Sequence, residues 1–145
     1  LTSLTKQAFP VLRYWTGDLC SLTREPSPCG RTHARMSAIV GRADDMLVIR
    51  GVNVYPSQVE HTLLGVGGVS PHFQLVVRRE GTLDTLTIRC EREVGVNDED
   101  GLARSIASAM QSSLGLGVTV SIEAPGALPR SEGGKLSRTT DERNM

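Results

Sequence analysis

The stretch Leu128-Pro-Arg-Ser-Glu-Gly-Gly-Lys-Leu-Ser-Arg138 places one ammonium, Lys135, directly after two glycines. A flexible backbone and a single cation suit the capture of phosphate or carboxylate oxygens; a solvated surface lysine is the other reading. A Walker A loop is excluded, because Pro129 stands where its first glycine belongs and Leu136 replaces the needed Ser or Thr. Asp18 closes a Thr-Gly-Asp turn, where a carboxylate can accept from a pair of sugar hydroxyls or bond its own backbone. Arg42 can pair with phosphate, with ribose, or with the neighbouring Asp44 and Asp45. Those two aspartates have no third metal ligand close in sequence and read as a solvated acidic turn. Cys20, Cys29 and His33 fall short of the four ligands of a structural zinc site, so no metal residue is assigned. His61 and His72 fall on a helix face and a strand start and read as structural. No Ser-His-Asp arrangement or acidic catalytic pair stands out.

These side chains need elements to hold them. Leu1 to Val11 reads as a β-segment, followed by a strand, the Thr16-Gly17-Asp18 turn and a second strand through Leu22. Arg24 to Arg35 is rich in proline, glycine and charge and reads as a loop; Met36 to Val40 is a short strand. The stretch Gly41 to Glu60 then gives two short β-prone runs around Arg50-Gly51 and a helix opening at Pro56, with Ser57 and Glu60 spaced as a capping box. The helix runs through about Leu64 and stops at the glycines beyond. Phe73, Leu75 and Val77 alternate with polar neighbours, as do Leu86, Ile88 and Cys90, and Gly81 to Asp84 joins them as a hairpin. Asn97 to Asp100 is an acidic helix start, Leu102, Ile106, Ala109 or Met110, and Ser113 or Leu114 follow at helical spacing, and Gly115 ends the helix. Val118, Val120 and Ile122 form a last strand, and the chain beyond Arg138 is a polar tail. The order from Gly41 is hairpin, helix, strand, strand, helix, strand. The expectation is an α+β fold with a small mixed or antiparallel sheet covered by two helices, preceded by a β-rich body ending near residue 41. The seam falls between Gly41 and Asp45.

Composition narrows the function. With 145 residues and a formal net charge of zero, the chain has no basic stripe for nucleic acid or anionic membrane. Aromatic residues make up 3%, too few for a base-stacking platform. Apolar runs are far short of a bilayer span, and the N-terminal residues lack a signal-peptide layout. The 3 cysteines are scattered and odd in number, which fits a reducing, cytoplasmic setting better than a disulfide framework.

Four motifs in sequence order carry more than each does alone. Tyr14-Trp-Thr-Gly-Asp18, Gly41-Arg-Ala-Asp-Asp45, Gly51-Val-Asn-Val-Tyr-Pro56 and Pro129 to Arg138 with Gly134-Lys135 resemble adenylate-forming acyl-CoA ligases. The wording FPVLRYWTGDL, PCGRTHARM, VGRADDMLVIRGVNVYPSQVE and LPRSEGGKLSR is similar to the phenylacetate-CoA ligase branch. The resemblance covers nearly the whole chain but only the last part of that family's length. It implies that residues 1–41 are the end of a large N-terminal AMP-binding domain and 42–145 a mobile C-terminal lid.

It also implies an acid–thiol ligase forming AMP: an aryl or aliphatic carboxylate is adenylated by ATP with magnesium, then passed to coenzyme A. By resemblance Asp18 and Arg42 bind the nucleotide, Asp44 is the hinge, Lys135 is catalytic during adenylation, and Gly51, Val52 and Asn53 line the CoA thiol tunnel. The implied partners are the carboxylic acid, ATP and CoA, with no nucleic acid and no membrane; a homodimer is compatible. Alone, the fragment is expected to be inactive. The alternative is a free-standing or degenerate lid that acts as a binding module for an adenylating partner or carrier protein. Three departures stand out: the phosphate-cradling loop and the acid pocket fall outside this stretch, Ser27 stands where the branch often has cysteine, and the lysine loop has one extra glycine.

Overall fold

A computed structural model describes residues 1–130 and 138–143. The chain divides into two compact units, Leu1–Asp45 and Met46–Met145.

The first unit is built from two-residue strand pairs. β1 (Asp18–Leu19) pairs antiparallel with β4 (Gly41–Arg42), and β2 (Leu22–Thr23) pairs antiparallel with β3 (Arg35–Met36). Residues 1–17 form no strand, contrary to the β-segment expected over Leu1–Val11 and the strand expected over Leu12–Trp15, and the strand expected over Met36–Val40 is found only as Arg35–Met36. Phe9 (φ 51°) and Arg13 (φ 50°) take left-handed backbone on either side of Pro10, which breaks extension there. The segment folds back on itself, with the Ser3 N–H donating to the Val11 carbonyl (2.8 Å) and the Tyr14 N–H to that of Leu1 (2.7 Å). No residue of 1–45 is buried, and Leu4, Phe9, Leu12 and Trp15 are more than 80% exposed.

The second unit carries the core. A tight hairpin, β5 (Leu47–Ile49) and β6 (Val52–Val54), leads into α1 (Pro56–Val66). A second hairpin, β7 (Val69–Glu80) and β8 (Leu83–Arg92), is followed by α2 (Glu99–Leu114), β9 (Thr119–Glu123) and β10 (Thr139–Asp141). The sheet order is β10-β7-β8-β9, with β7 and β8 antiparallel and both outer pairs parallel. The fold is therefore α+β with a small mixed sheet and two helices.

Alternation decides the faces. Phe73, Leu75, Val77, Leu86, Ile88 and Cys90 point into one core with Val59 and Leu63 of α1 and Ile106, Met110 and Leu114 of α2. Ile49 and Val54 close it from the first hairpin. The opposite face shows Gln74, Arg78, Thr87, Arg89 and Ser121. α2 starts at Asp98, whose side chain accepts from the Gly101 N–H (2.8 Å), and ends at Gly115 in left-handed backbone, as the acidic run and the glycine predict.

Two expectations for the second unit also change. The start of α1 uses Tyr55 as its cap without a side-chain hydrogen bond, and Pro56 opens the first turn. Ser57 and Glu60 both lie inside the helix, so they form no capping box; a proline at the first helical position marks the start instead. The polar tail beyond Arg138 is a strand, because Thr139–Asp141 fill the open edge of Leu75–Val77. Among the described residues no helix is long and apolar enough to cross a membrane.

Candidate functional site

The first unit gathers three of the candidate residues. Asp18 and Arg42 are register partners on β1 and β4. Gly17, which precedes Asp18, has φ +78°, a backbone that favours glycine, and a Cβ there would stand 3.2 Å from Asp44 Oδ1, so that the carboxylate would have to give by a few tenths of an ångström. Arg42 donates to Asp44 from both Nε (3.0 Å) and Nη2 (2.7 Å), the forked geometry that matches guanidinium to carboxylate. Asp45 lies 3.8 Å from the same guanidinium. Asp44's hydrogen bonds and charge hold Arg42 above its usual pKa, with Asp45 and Asp18 adding to the effect. Asp44 sits in the short 3-10 turn Ala43–Asp45 that ends the first unit. Chemically this is a half-exposed carboxylate next to a fixed cation, suited to vicinal hydroxyls beside an anionic group.

Gly51, Val52 and Asn53 lie in the second unit, at and after the tip of the β5–β6 hairpin. The turn is Arg50-Gly51 with φ 50° and 79°, positive at both positions as a type I′ turn requires. Arg50 has a side chain that disfavours that backbone, and its Nη2 is tied to the Gly117 carbonyl at 2.6 Å. Val52 is half-buried, and Gly51 and Asn53 are exposed, so the tip offers bare backbone to an approaching group.

Lys135 lies outside the described residues. The residues that flank its segment are well held. The buried Glu91 accepts from the Leu128 N–H (2.8 Å) and from Arg130 Nη2 (2.7 Å). Arg130's hydrogen bond holds the Glu91 carboxyl down at about 2 against the opposing effect of burial, with the Gly126 and Leu128 amides helping. On the far side Arg138 pairs with Glu60 (2.7 Å), stacks 4.7 Å from the Phe73 ring centroid, and its carbonyl accepts from the Leu75 N–H (2.7 Å). A cleft of about 90 Å³ opens here, lined by His72, Phe73, Leu128, Pro129 and Arg138.

Glu91 and its partners are invisible to sequence patterning. Glu91 shares strand parity with the outward Arg89, and its acceptor role is set by residues 37 and 39 positions away. His61 and His72 are both exposed, so neither fills the core. Cys20 and Cys29 are exposed and Cys90 is buried, where desolvation pushes its thiol up to about 11. Among the described residues no three His, Cys, Asp or Glu side chains are grouped to hold a metal ion.

The AMP-binding enzyme C-terminal domain model matches residues 51–143. The phenylacetate-coenzyme A ligase of Thermus thermophilus is 51% identical over 98% of this chain, a match that takes in 36% of that protein. That of Escherichia coli is 42% identical over 99% of this chain and 33% of its own length. The crystal structure of 2-hydroxyisobutyryl-CoA ligase in the postadenylation state, in complex with R3-HIB-AMP, superposes with a TM-score of 0.78 at 33% identity. That superposition covers 92% of this chain and 29% of the other. The chain spans about a third of the length of the curated relatives it matches. With the match running from the first hairpin's tip through both helices and the four-stranded sheet, the chain belongs to the AMP-binding enzyme C-terminal domain family.

Proposed function

We propose that this chain is the C-terminal part of an ATP-dependent acyl-CoA ligase of the phenylacetate-CoA ligase kind. The observation that carries the reading is the meeting of Asp18, Arg42 and Asp44, drawn from two separate motifs into one carboxylate–guanidinium group. The identity to ligases of that name supports it across both units.

In the proposed reaction a substrate carboxylate oxygen attacks the α-phosphorus of ATP, and the bond to pyrophosphate breaks. The CoA sulfur then attacks the acyl carbon, the thiol proton is lost, and the bond to AMP breaks. Asp18 accepts hydrogen bonds from the ribose hydroxyls, which fixes the nucleoside. Arg42 places positive charge beside the ribose and phosphate. Lys135, assigned from its motif, neutralises charge building on the transferring oxygens, a role worth several kcal/mol where water is excluded. Gly51, Val52 and Asn53 line the approach of the thiol, where a glycine lets backbone come close. Asp44 is the hinge between residues 1–41, the end of the AMP-binding domain, and the lid 42–145. Magnesium belongs to the same reading and would offset the charge of the nucleotide phosphates; Asp44 and Asp45 face Arg42. A cytoplasmic site of action belongs to the same reading and rests on the scattered, odd-numbered cysteines, and a homodimer is compatible with the family resemblance.

The test is Lys135→Ala in the complete ligase. Pyrophosphate exchange is expected to fall at least about a hundredfold while thioester formation from supplied acyl-adenylate stays within about threefold. Equal loss in both half-reactions removes the role given to Lys135. Acyl transfer by residues 1–145 added to a separate adenylating protein favours the free-standing lid instead.

A further inference from the structure

The β5–β6 hairpin is short, and its inner residues Ile49 and Val54, with the partly buried Leu47 and Val52 packed beside them, are its hold on the core. Beside a two-residue turn, Ile49 and Val52 exchange backbone hydrogen bonds, so the carbonyl of the next residue, Val48, points away from β6. Arg143 meets it: its Nη1 donates to the Val48 carbonyl at 3.0 Å, across 95 residues of chain. The same nitrogen reaches Asp84 Oδ2 at 3.0 Å, in the turn end of the β7–β8 hairpin. Nε and Nη2 grip the Asp141 carboxylate at 2.9 and 2.5 Å. Arg79 in turn holds the other oxygen of Asp84 at 2.8 Å. One guanidinium thus ties together the first hairpin, the second hairpin and β10, and its side chain is only 21% exposed. Val48 is the register partner of Asn53, and Asn53 is a candidate tunnel residue. Arg50 secures the tip from the other side through Gly117.

We infer that Arg143 is a positioning residue for the thiol-transfer step, holding the β5–β6 hairpin so that Gly51, Val52 and Asn53 present one fixed backbone surface to the incoming thiol. The inference rests on the reading of that hairpin as the lining of the thiol tunnel. A bidentate aspartate fixes the plane of the guanidinium, leaving Nη1 to set the height of the Val48 carbonyl. Chemistry that depends on near-attack geometry is sensitive to displacements of about 1 Å at such a surface. On that reading the hairpin serves thiol transfer and not adenylation, so the loss of the tie is felt in one half-reaction only.

The experiment compares Arg143→Gln, Arg143→Lys and Gly51→Val in the complete ligase, with amide hydrogen exchange measured on residues 1–145. For Arg143→Gln, exchange at residues 47–54 is expected to rise about tenfold while β7, β8 and α2 are unchanged. Thioester formation from supplied acyl-adenylate falls about tenfold, pyrophosphate exchange stays within about twofold, and Arg143→Lys recovers part of the loss. Unchanged exchange in the hairpin, or both half-reactions falling together with the melting temperature, overturns the inference. If Gly51→Val blocks thioester formation and Arg143→Gln does not, the positioning role alone fails. Should Gly51→Val leave thioester formation intact, the tunnel reading fails and the inference falls with it. If Arg143→Gln does not fold, Asp141→Asn frees the guanidinium and carries the same expected and opposing results.

Discussion

Glu91 shows how a single side chain can couple pH to the anchoring of Leu128 and Arg130. Its folded carboxyl is held at about 2, below the usual 4.5, chiefly by Arg130. The stability it contributes is therefore complete above about 4.5 and is lost as pH falls from there through about 2. The ceiling is about 3 kcal/mol, and water around the 44%-exposed Arg130 brings the figure below that. Urea unfolding at pH 7 and pH 3 is expected to show this loss, and Glu91→Gln to flatten the difference. A buried carboxylate could not be read from the sequence, because strand alternation puts Glu91 on the solvent side and its cover comes from Leu128 and Arg130. Asp18, Arg42 and Asp44 were legible as candidates from their motifs. Their meeting was not, since strands of two residues leave no periodic trace.

At the scale of elements, legibility follows the strength of local signals. Every boundary of α2 is written locally, in Asp98 before it and Gly115 after it. The start of α1 misleads because Ser57 and Glu60 have the spacing of a cap but lie two residues too late, behind Pro56. β10 was missed because Thr-Thr-Asp has no alternating pattern; only the free edge of β7 makes it a strand. The α2 cap gives a sharp test. A Cβ at Gly101 would overlap the Asp98 carboxylate that caps the helix. Asp98→Ala is expected to cost about 1 kcal/mol. Gly101→Ala should give almost none of its usual gain of about 1 kcal/mol, yet recover it in the Asp98→Ala background. Denaturant midpoints of the four proteins check this coupling.

At the scale of the whole chain, all of the buried apolar side chains belong to residues 46–145. Residues 1–45 bury none, so their strand pairs lack the hydrophobic term that normally offsets chain entropy. Residues 46–145 made alone are expected to melt cooperatively, and residues 1–45 alone to show no dispersed amide spectrum; circular dichroism and proton NMR check both. The two-helix sheet was legible as a class because its core positions recur at regular intervals along β7, β8 and α2.

Thr139–Asp141 has a further consequence as the strand that covers β7. It occupies the outward backbone groups of Leu75 and Val77, in the buried apolar run Leu75–Val77 with its β-branched residues. Uncovered, that run is a template on which another chain can add a strand. The last strand thus guards against self-association: a change that unseats it, such as Thr140→Pro, turns a folded unit into a seed for aggregation.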